Sequence, residues 1–445
     1  MSDLATSVIE RIRPMEPTTL DASGLSFDLV IELVLKMLHR AGEMSGTEMA
    51  RRLGLAFTIV GPALDFLKAQ RFCEITGGPS LGGPSFRYRL TDAGHTRAQR
   101  ALERNQYVGL APVSITQYRD YVDEFRRNVP RTVSTVQVRE AFSHLVVGDR
   151  VLDEIGPAVN SGHSIFMYGP PGNGKTVMSQ AIRSLLAGTI AIPSAVELDN
   201  NIIRFFDPSV HEALPRPDKI DPDVPHDPRW IECRRPMVSV GGELTLDDLS
   251  LSFNPRTGVY RAPVQMLANG GVLLIDEFGR QRCHPRDLLN WWMVPLESGF
   301  EVLTLQSGEK VELPFFPLVI FATNLRPSEL VDEAFLRRIQ YKIYAEDPSP
   351  ADYVRIFEIA CKSKGIPFDA ALVDHLLHNV YGKHRIQLRG CHPRDLVNQA
   401  LALASYRREP RRLTNQLLEE AAASYFLMDQ ESTRTRQTVG PTRGE

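Results

Sequence analysis

The segment GPPGNGKT at 169–176 fits the phosphate-binding pattern GxxxxGK[ST]. It lies between an apolar strand at 164–168 and an amphipathic helix at 177–186, the context that the pattern requires. Glycines allow a tight loop whose backbone N–H groups point at phosphate oxygens, and the helix N-terminus adds a positive dipole end. We expect Lys175 to reach the outer phosphates and the Thr176 hydroxyl to hold magnesium. The predicted nucleotide-binding residues are Gly169, Pro170, Pro171, Gly172, Asn173, Gly174, Lys175, Thr176 and Val177.

Two carboxylates end a buried strand about one hundred residues further along the chain, where GVLLIDE at 271–277 closes with Asp276 and Glu277. Phosphoryl transfer requires charge neutralisation and an aligned nucleophile more than covalent chemistry. We therefore expect Asp276 to support the magnesium shell together with Thr176, and Glu277 to polarise the attacking water. The sequence predicts ATP and Mg²⁺ as cofactors and ATP hydrolysis as the reaction.

The elements that would position these residues are short apolar strands alternating with helices from Ile165 onward. The candidate strands are SIFMY, TIAIP, GVLLID and LVIFAT. Such alternation is typical of a parallel sheet covered by helices on both faces. The predicted fold class is therefore α/β, with a helical lid from about 351 onward.

Further motifs resemble the AAA+ superfamily over roughly 140–425, about two-thirds of the chain. FATN ends a strand as a sensor-1 segment does, which would place Asn324 near the γ-phosphate and the attacking water. DEAFLRRI resembles the segment that carries an arginine finger, with Arg338 the first choice and Arg337 the reserve. The resemblance implies that this arginine completes the site of a neighbouring subunit, so it predicts a ring-like homo-oligomer, a hexamer by analogy.

A nearly repeated string marks two predicted helix starts, CHPRDL at 283–288 and GCHPRDL at 390–396. The second copy resembles a sensor-2 helix start, with Pro393 in the first turn and Arg394 directed at the nucleotide. The repetition is either a coincidence of helix-start chemistry or a sign that two arginines converge on one nucleotide interface. A Cys/His metal site is less favoured, because adjacent residues rarely share one ion.

Two insertions resemble the AAA+ branch that contains MoxR proteins, magnesium chelatase motor subunits and bacterial enhancer-binding activators. One insertion spans 197–262 and includes MVSVGGELTL, which is typical of a hairpin, and a second hairpin is expected at 302–316 with SGEK as its turn. The GAFTGA loop of those activators is absent before Asn269, which favours a MoxR-like remodelling motor acting on an unknown protein substrate. These loops are candidates for substrate contact, with packing against the core as the alternative.

The front of the chain has the order of a winged-helix domain: helices at 27–41, 45–53 and 56–71, the last interrupted at Gly61–Pro62, then a hairpin at 72–91. Its third helix offers only Lys68, Gln70 and Arg71 to a DNA groove, and its charges nearly balance. This favours protein docking, while an ATP-controlled DNA-binding regulator remains the alternative. Four further arginines could form a local DNA footprint: Arg51, Arg52, Arg87 and Arg89.

The composition is that of a soluble globular protein, with a net charge of -3 and five dispersed cysteines that form no CxxC pair. No stretch is long and apolar enough to span a membrane, so we expect a cytoplasmic protein. An inactive nucleotide-binding scaffold is disfavoured because both Lys175 and Glu277 are present. The predicted domains are a flexible leader at 1–24, a winged-helix-like domain at 25–105, a helical linker at 106–140, an AAA+ ATPase core at 141–347 with the insertion at 197–262, a helical lid at 348–428 and a disordered tail at 429–445.

Overall fold

A computed structural model describes residues 9, 11–77, 83–129, 132–215, 226–330 and 333–426. The predicted tail at 429–445 and most of the leader before residue 11 lie outside these residues, as does the Pro- and Asp-rich stretch 216–225 of the insertion. Among the described residues, no helix has the length and apolar character needed to cross a membrane.

The front unit packs helices around a small antiparallel sheet of strand order β1-β3-β2. Its third large helix runs through Gly61 and Pro62 without the predicted interruption, because the buried side chains on either side, such as Val60 and Leu64, hold it against the core. The winged-helix identity of this unit remains a prediction. The elements in chain order are α1 (Leu20–Ser23), α2 (Phe27–Ala41), β1 (Glu43–Ser45), α3 (Gly46–Leu53), α4 (Phe57–Ala69), β2 (Cys73–Gly77), β3 (Arg87–Leu90) and α5 (Asp92–Arg104).

The segment predicted as a linker contributes to the core of the molecule. It contains β4 (Val113–Ser114), α6 (Ile115–Asn128) and α7 (Thr135–Ala141). Tyr118, Tyr121 and Phe125 of α6 are buried in the same apolar cluster as one face of the central sheet. These aromatic residues follow helical spacing, so α6 is amphipathic and requires an apolar partner.

The central sheet is parallel and five-stranded, with the strand order β10-β13-β16-β5-β17. Alternate side chains of its inner strands enter two separate cores, one lined by helices on each face. The α/β fold class is therefore confirmed. The elements that build this layer are α8 (Asp149–Ser161), β5 (Ile165–Tyr168), α9 (Lys175–Leu185), β10 (Met237–Val240), β13 (Val272–Ile275), α11 (Pro285–Ser298), β16 (Leu318–Thr323) and β17 (Tyr341–Tyr344).

Two strand predictions in this region are wrong. TIAIP does not join the parallel sheet, because β6 (Thr189–Pro193) pairs antiparallel with β9 (Trp230–Arg234) of the insertion. MVSVGGELTL does not form a hairpin, since MVSV is β10, the edge strand beside β13. As an edge strand, β10 is only partly buried, with Val238 buried and Ser239 exposed.

The insertion forms a mixed sheet of order β11-β12-β8-β7-β4 against the front unit. Its strands are β7 (Ala195–Leu198), β8 (Asn201–Arg204), β11 (Ser252–Asn254) and β12 (Val259–Arg261). The hairpin predicted at 302–316 is confirmed as β14 (Phe300–Thr304) paired with β15 (Lys310–Pro314).

The segment predicted as a lid forms its own helical core after the last strand of the sheet. Its helices are α14 (Pro350–Ser363), α15 (Ala370–Leu376), α16 (His392–Arg407) and α17 (Asn415–Tyr425). Short helices α10 (Val264–Leu267), α12 (Pro327–Leu330) and α13 (Glu333–Leu336) complete the description of the core.

Candidate functional site

The predicted phosphate loop leaves the carboxyl end of β5 and enters α9 at Lys175. Gly169 has a φ of 141°, and a Cβ there would lie 2.6 Å from the Ala345 carbonyl oxygen. Gly174 has a φ of 74° and precedes α9 without a side-chain cap. The first N–H groups of α9 therefore lack the usual side-chain acceptor and are available to an anion.

Lys175 is buried at the centre of this loop, where its described hydrogen-bond partners are all uncharged oxygens. Its Nζ lies 2.9 Å from Gly169 O, 2.8 Å from Pro170 O and 2.7 Å from Asn324 Oδ1. Burial lowers the pKa of Lys175, the charge of Asp276 opposes this shift, and Arg389 adds to it. Among the described residues Lys175 forms no ion pair, so an anionic ligand would supply the missing counter-charge.

Thr176 and Asp276 bring the two predicted motifs together across the sheet. The Thr176 hydroxyl donates to Asp276 Oδ2 at 2.6 Å, while Asp276 Oδ1 accepts the Glu277 N–H at 2.9 Å. A hydroxyl and a carboxylate are oxygen donors of the kind that Mg²⁺ prefers when it also keeps water and phosphate ligands. The described part of the chain contains no group of three or more His, Cys, Asp or Glu side chains that could hold a metal ion. A magnesium ion here would therefore need water and phosphate as further ligands. The cradle and its donors therefore fit a magnesium–triphosphate group.

Glu277 is exposed and has a φ of 49°, the left-handed region that costs a non-glycine residue about 1 kcal/mol. The next residue, Phe278, anchors the turn, since its ring is buried against Phe166 and Phe321 and its N–H donates to Ala322 O at 2.7 Å. Within the described residues, the Glu277 carboxylate has no hydrogen bond or ion pair. It is thus available to orient a water molecule.

Asn324 follows β16, which lies between the strands that carry the other two motifs. Its Oδ1 accepts from Lys175, and the preceding Thr323 hydroxyl donates to Phe278 O at 2.7 Å. Lys175, Thr176, Asp276 and Asn324 thus meet at one edge of the sheet, where the carboxyl ends of parallel strands lie.

The two candidate finger arginines lie away from these contacts. Arg338 is 27% exposed and forms an ion pair with Glu297 of α11, whereas Arg337 is 77% exposed and pairs with Glu333 at 3.2 Å. Their role remains a prediction.

The structure does not bring Arg394 to the phosphate loop, because its guanidinium is 67% exposed and pairs with the adjacent Asp395 at 3.0 Å. Arg389 lies there instead, 19% exposed and ion-paired with Asp347. Asp347 Oδ1 also accepts from Asn173 of the loop at 2.7 Å, and Asn173 Oδ1 accepts the Gly390 N–H at 3.2 Å. The lid is thus joined to the loop through Asn173 and its partners.

The sequence did not indicate Arg389, because the motif resemblance concerns the helix that begins after it. Arg389 lies in the loop just before Gly390. Its position next to a glycine at a helix start was the one local feature that could have indicated its role. Cys391 was also missed as a packing residue: a Cβ on Gly172 would collide with its Sγ.

The comparisons with known proteins concern two parts of the chain. The family described as magnesium chelatase, subunit ChlI, matches residues 149–201, from α8 through the phosphate loop and β7. A domain of unknown function, DUF8689, matches residues 349–424, which form the lid. A search of curated proteins found no match.

Among solved structures, the RuvB Holliday junction branch migration motor of Thermotoga maritima is 13% identical, with 64% of this chain and 72% of RuvB covered at a TM-score of 0.37. NtrX from Brucella abortus, solved in complex with ATP, is 14% identical, with 78% of this chain and 67% of NtrX covered at a TM-score of 0.38. At such scores neither likeness carries an argument about function. The chelatase family match over 149–201, the phosphate loop and the five-stranded parallel sheet make this part of the chain similar to AAA+ P-loop proteins.

Proposed function

We propose that this protein hydrolyses ATP with magnesium and uses the cycle to remodel a partner protein or complex. The observation that carries the proposal is the hydrogen bond from Thr176 to Asp276 at 2.6 Å beside a buried Lys175, which forms no ion pair with any described residue. Lys175 as the cation for phosphate, Thr176 and Asp276 as magnesium ligands, and the exposed Glu277 carboxylate all lie at the carboxyl end of the sheet strands. This is the arrangement that phosphoryl transfer to water requires.

Each residue has a separate task in this proposal. Lys175 and the N–H groups of 172–176 neutralise the phosphates, and Thr176 and Asp276 hold Mg²⁺, which supplies Lewis-acid polarisation of the phosphates when bound. Glu277 accepts a proton from the attacking water, and Asn324 orients that water from the neighbouring strand. Arg389 is the lid arginine that the contacts favour for the phosphates, ahead of Arg394.

The hydrolysis proposal is tested by turnover of the wild-type chain and its Glu277→Gln variant in Mg-ATP. We expect turnover by the wild type, a loss of about 100-fold or more in the variant, and retained ATP affinity. Wild-type protein that binds Mg-ATP but never releases phosphate would leave only a nucleotide-binding scaffold.

An oligomer is part of the proposal because the segment that contains Arg338 resembles one that carries an arginine finger, a group that completes the site of a neighbouring subunit. We expect Arg338→Ala and Glu277→Gln subunits, each inactive alone, to regain partial turnover when mixed, since each supplies what the other lacks. Arg337→Ala, mixed in the same way, tests the reserve candidate. Absence of rescue with either arginine variant would contradict a shared site.

The proposed output rests on the β14–β15 hairpin and the insertion sheet, both built outside the nucleotide site. Val302 of the hairpin is 48% exposed and is a candidate contact for a partner. We expect the Glu277→Gln chain to retain a partner in ATP and the Lys175→Ala chain to lose it. Equal retention by both variants would show that partner binding does not depend on the nucleotide.

The charges of the front unit favour protein docking over the DNA-binding alternative. Arg87 pairs with Glu43, and Arg89 and Arg52 each lie 2.6 Å from a carboxylate, Glu74 and Glu48 respectively. A carboxylate beside each of these arginines lowers the positive potential that this surface offers to DNA. Salt-sensitive DNA binding that disappears in an Arg87→Ala, Arg89→Ala double variant would restore the regulator hypothesis.

A further inference from the structure

The turn that follows β13 is closed by one side chain, that of Gln281. Its Nε2 donates to Asp276 O at 2.9 Å and to Glu277 O at 3.3 Å, while its Oε1 accepts the Gly279 N–H at 2.8 Å. The amide therefore spans the turn from the residue that holds magnesium to the glycine beyond the proposed base.

This turn has an unfavourable backbone geometry that requires such support. Glu277 has a φ of 49° and Gly279 a φ of 98°, so two of three consecutive residues leave the regions that L-residues favour. Phe278 fixes the turn from the buried side, through its packing against Phe166 and Phe321. On the exposed side the described contacts to the turn backbone include those of the Gln281 amide and the Arg280 N–H, which donates to Glu277 O at 2.9 Å.

Only an amide of this length satisfies the groups that face it. It must donate at one end, to the two carbonyl oxygens of the turn and to Gly241 O at 3.5 Å, and accept at the other, from the Gly279 N–H. A glutamate in its place would set an oxygen against these carbonyls, and a shorter side chain would not span the turn.

We propose that Gln281 is a positioning residue for hydrolysis: it holds the backbone of 276–279 so that the Glu277 carboxylate faces the attacking water. The inference rests on the proposed ATPase function and adds a residue to its machinery. The described partners of the Gln281 amide are backbone groups, so we expect its removal to affect the catalytic rate and to leave nucleotide binding intact.

The test compares full-length wild type with Gln281→Ala and Gln281→Glu in Mg-ATP. We expect kcat to fall about 10- to 100-fold in both variants, because a small displacement of a catalytic group has effects of that size. KM for ATP, the ATP dissociation constant and the melting temperature should stay close to wild type. The Glu variant is as long as the native side chain, so its defect would report the lost donor and not a cavity.

Gln399→Ala is the matched control, since Gln399 is half-buried on α16 and has no recorded side-chain hydrogen bond in the described part of the chain. It should turn over ATP like the wild type. Wild-type kcat in both Gln281 variants would overturn the inference, and so would a parallel loss of ATP affinity and melting temperature.

Hydrogen exchange tests whether Gln281 holds the turn even if the wild type proves inactive and the proposed function fails. Loss of one hydrogen bond should speed exchange of the Gly279 amide about fivefold to tenfold in Gln281→Ala. Exchange in peptides of the lid should not change. An unchanged Gly279 amide would show that Gln281 does not hold the turn, whatever the fate of ATP hydrolysis.

Discussion

The two copies of CHPRDL begin helices in both places, yet they lie in opposite environments. At the start of α11, His284 is exposed and its Nδ1 accepts the Arg286 N–H at 3.2 Å, so it caps the helix. At the start of α16, His392 is 8% exposed and its Nδ1 lies 3.0 Å from the Tyr381 hydroxyl. The string therefore specifies where a helix begins, and its surroundings decide what each side chain does.

The contrast extends to the arginines of the two strings. Arg286 and Arg394 are both exposed, and neither is recorded in contact with the phosphate loop in the described residues. The arginine beside the loop is Arg389, which precedes the second string. These contacts favour the helix-start interpretation of the repeat over two arginines that converge on one nucleotide.

The largest expected difference between the two copies is the response of stability to acid. Burial lowers the pKa of His392 from 6.5 to about 4. Because the unfolded chain takes up this proton first, the contribution of His392 to stability is complete above pH 6.5 and is lost as pH falls towards 4. We expect a loss of about 2 kcal/mol by pH 5 and about 3 kcal/mol by pH 4.

The measurement is the free energy of unfolding in urea, wild type minus His392→Phe, at pH 7.5, 6 and 5. The difference should shift in favour of the variant as pH falls, because phenylalanine has no proton to take up. His284→Phe, the same change in the other copy, is the control. A difference that does not vary with pH would contradict a buried neutral His392.

A second difference concerns nucleotide affinity. Arg389→Ala should weaken ATP binding or turnover about 10- to 100-fold, the range for a lost hydrogen bond to a charged group. Arg394→Ala and Arg286→Ala remove the equivalent arginines of the two strings. Each should have only a small effect on ATP binding and turnover. ATP titrations with all three variants would sharpen the comparison, and a greater loss in Arg394→Ala would favour the sensor-2 prediction from the sequence.

The smallest expected effect belongs to the exposed copy. His284→Ala removes a helix cap and should destabilise the protein by about 0.5–1 kcal/mol at pH 7.5. Urea unfolding followed by tryptophan fluorescence is suitable, because Trp291 and Trp292 lie in α11 itself. A greater loss of stability in His284→Ala than in His392→Phe at pH 7.5 would reverse the expected order of the two copies.

Local chemistry explains what the sequence predicted. The 169–176 loop, the acidic pair 276–277 and the hairpin at 300–314 each depend on residues close together in the chain. The bounds of α2, Phe27–Ala41, are those predicted, because Ser26 caps its start and Gly42 follows its end.

Tertiary partners explain what the sequence did not predict. β10 is followed by two glycines, which suggest a hairpin turn, and only its pairing with β13 shows that it is the edge of the central sheet. Arg389 and Asn173 are 216 residues apart, and no local pattern indicates that both contact Asp347. Likewise, the place of α6 in the core depends on an apolar face contributed by the sheet.

The central claim is that the loop at 169–176 and the pair 276–277 form one site for magnesium and triphosphate. Calorimetric titration of ATP into wild type and Lys175→Ala, each with Mg²⁺ and with EDTA, tests it most directly. We expect one ATP per wild-type chain, tighter with Mg²⁺, and no measurable binding to a folded Lys175→Ala chain. Equal binding by both proteins, or a wild-type affinity that ignores Mg²⁺, would contradict the account.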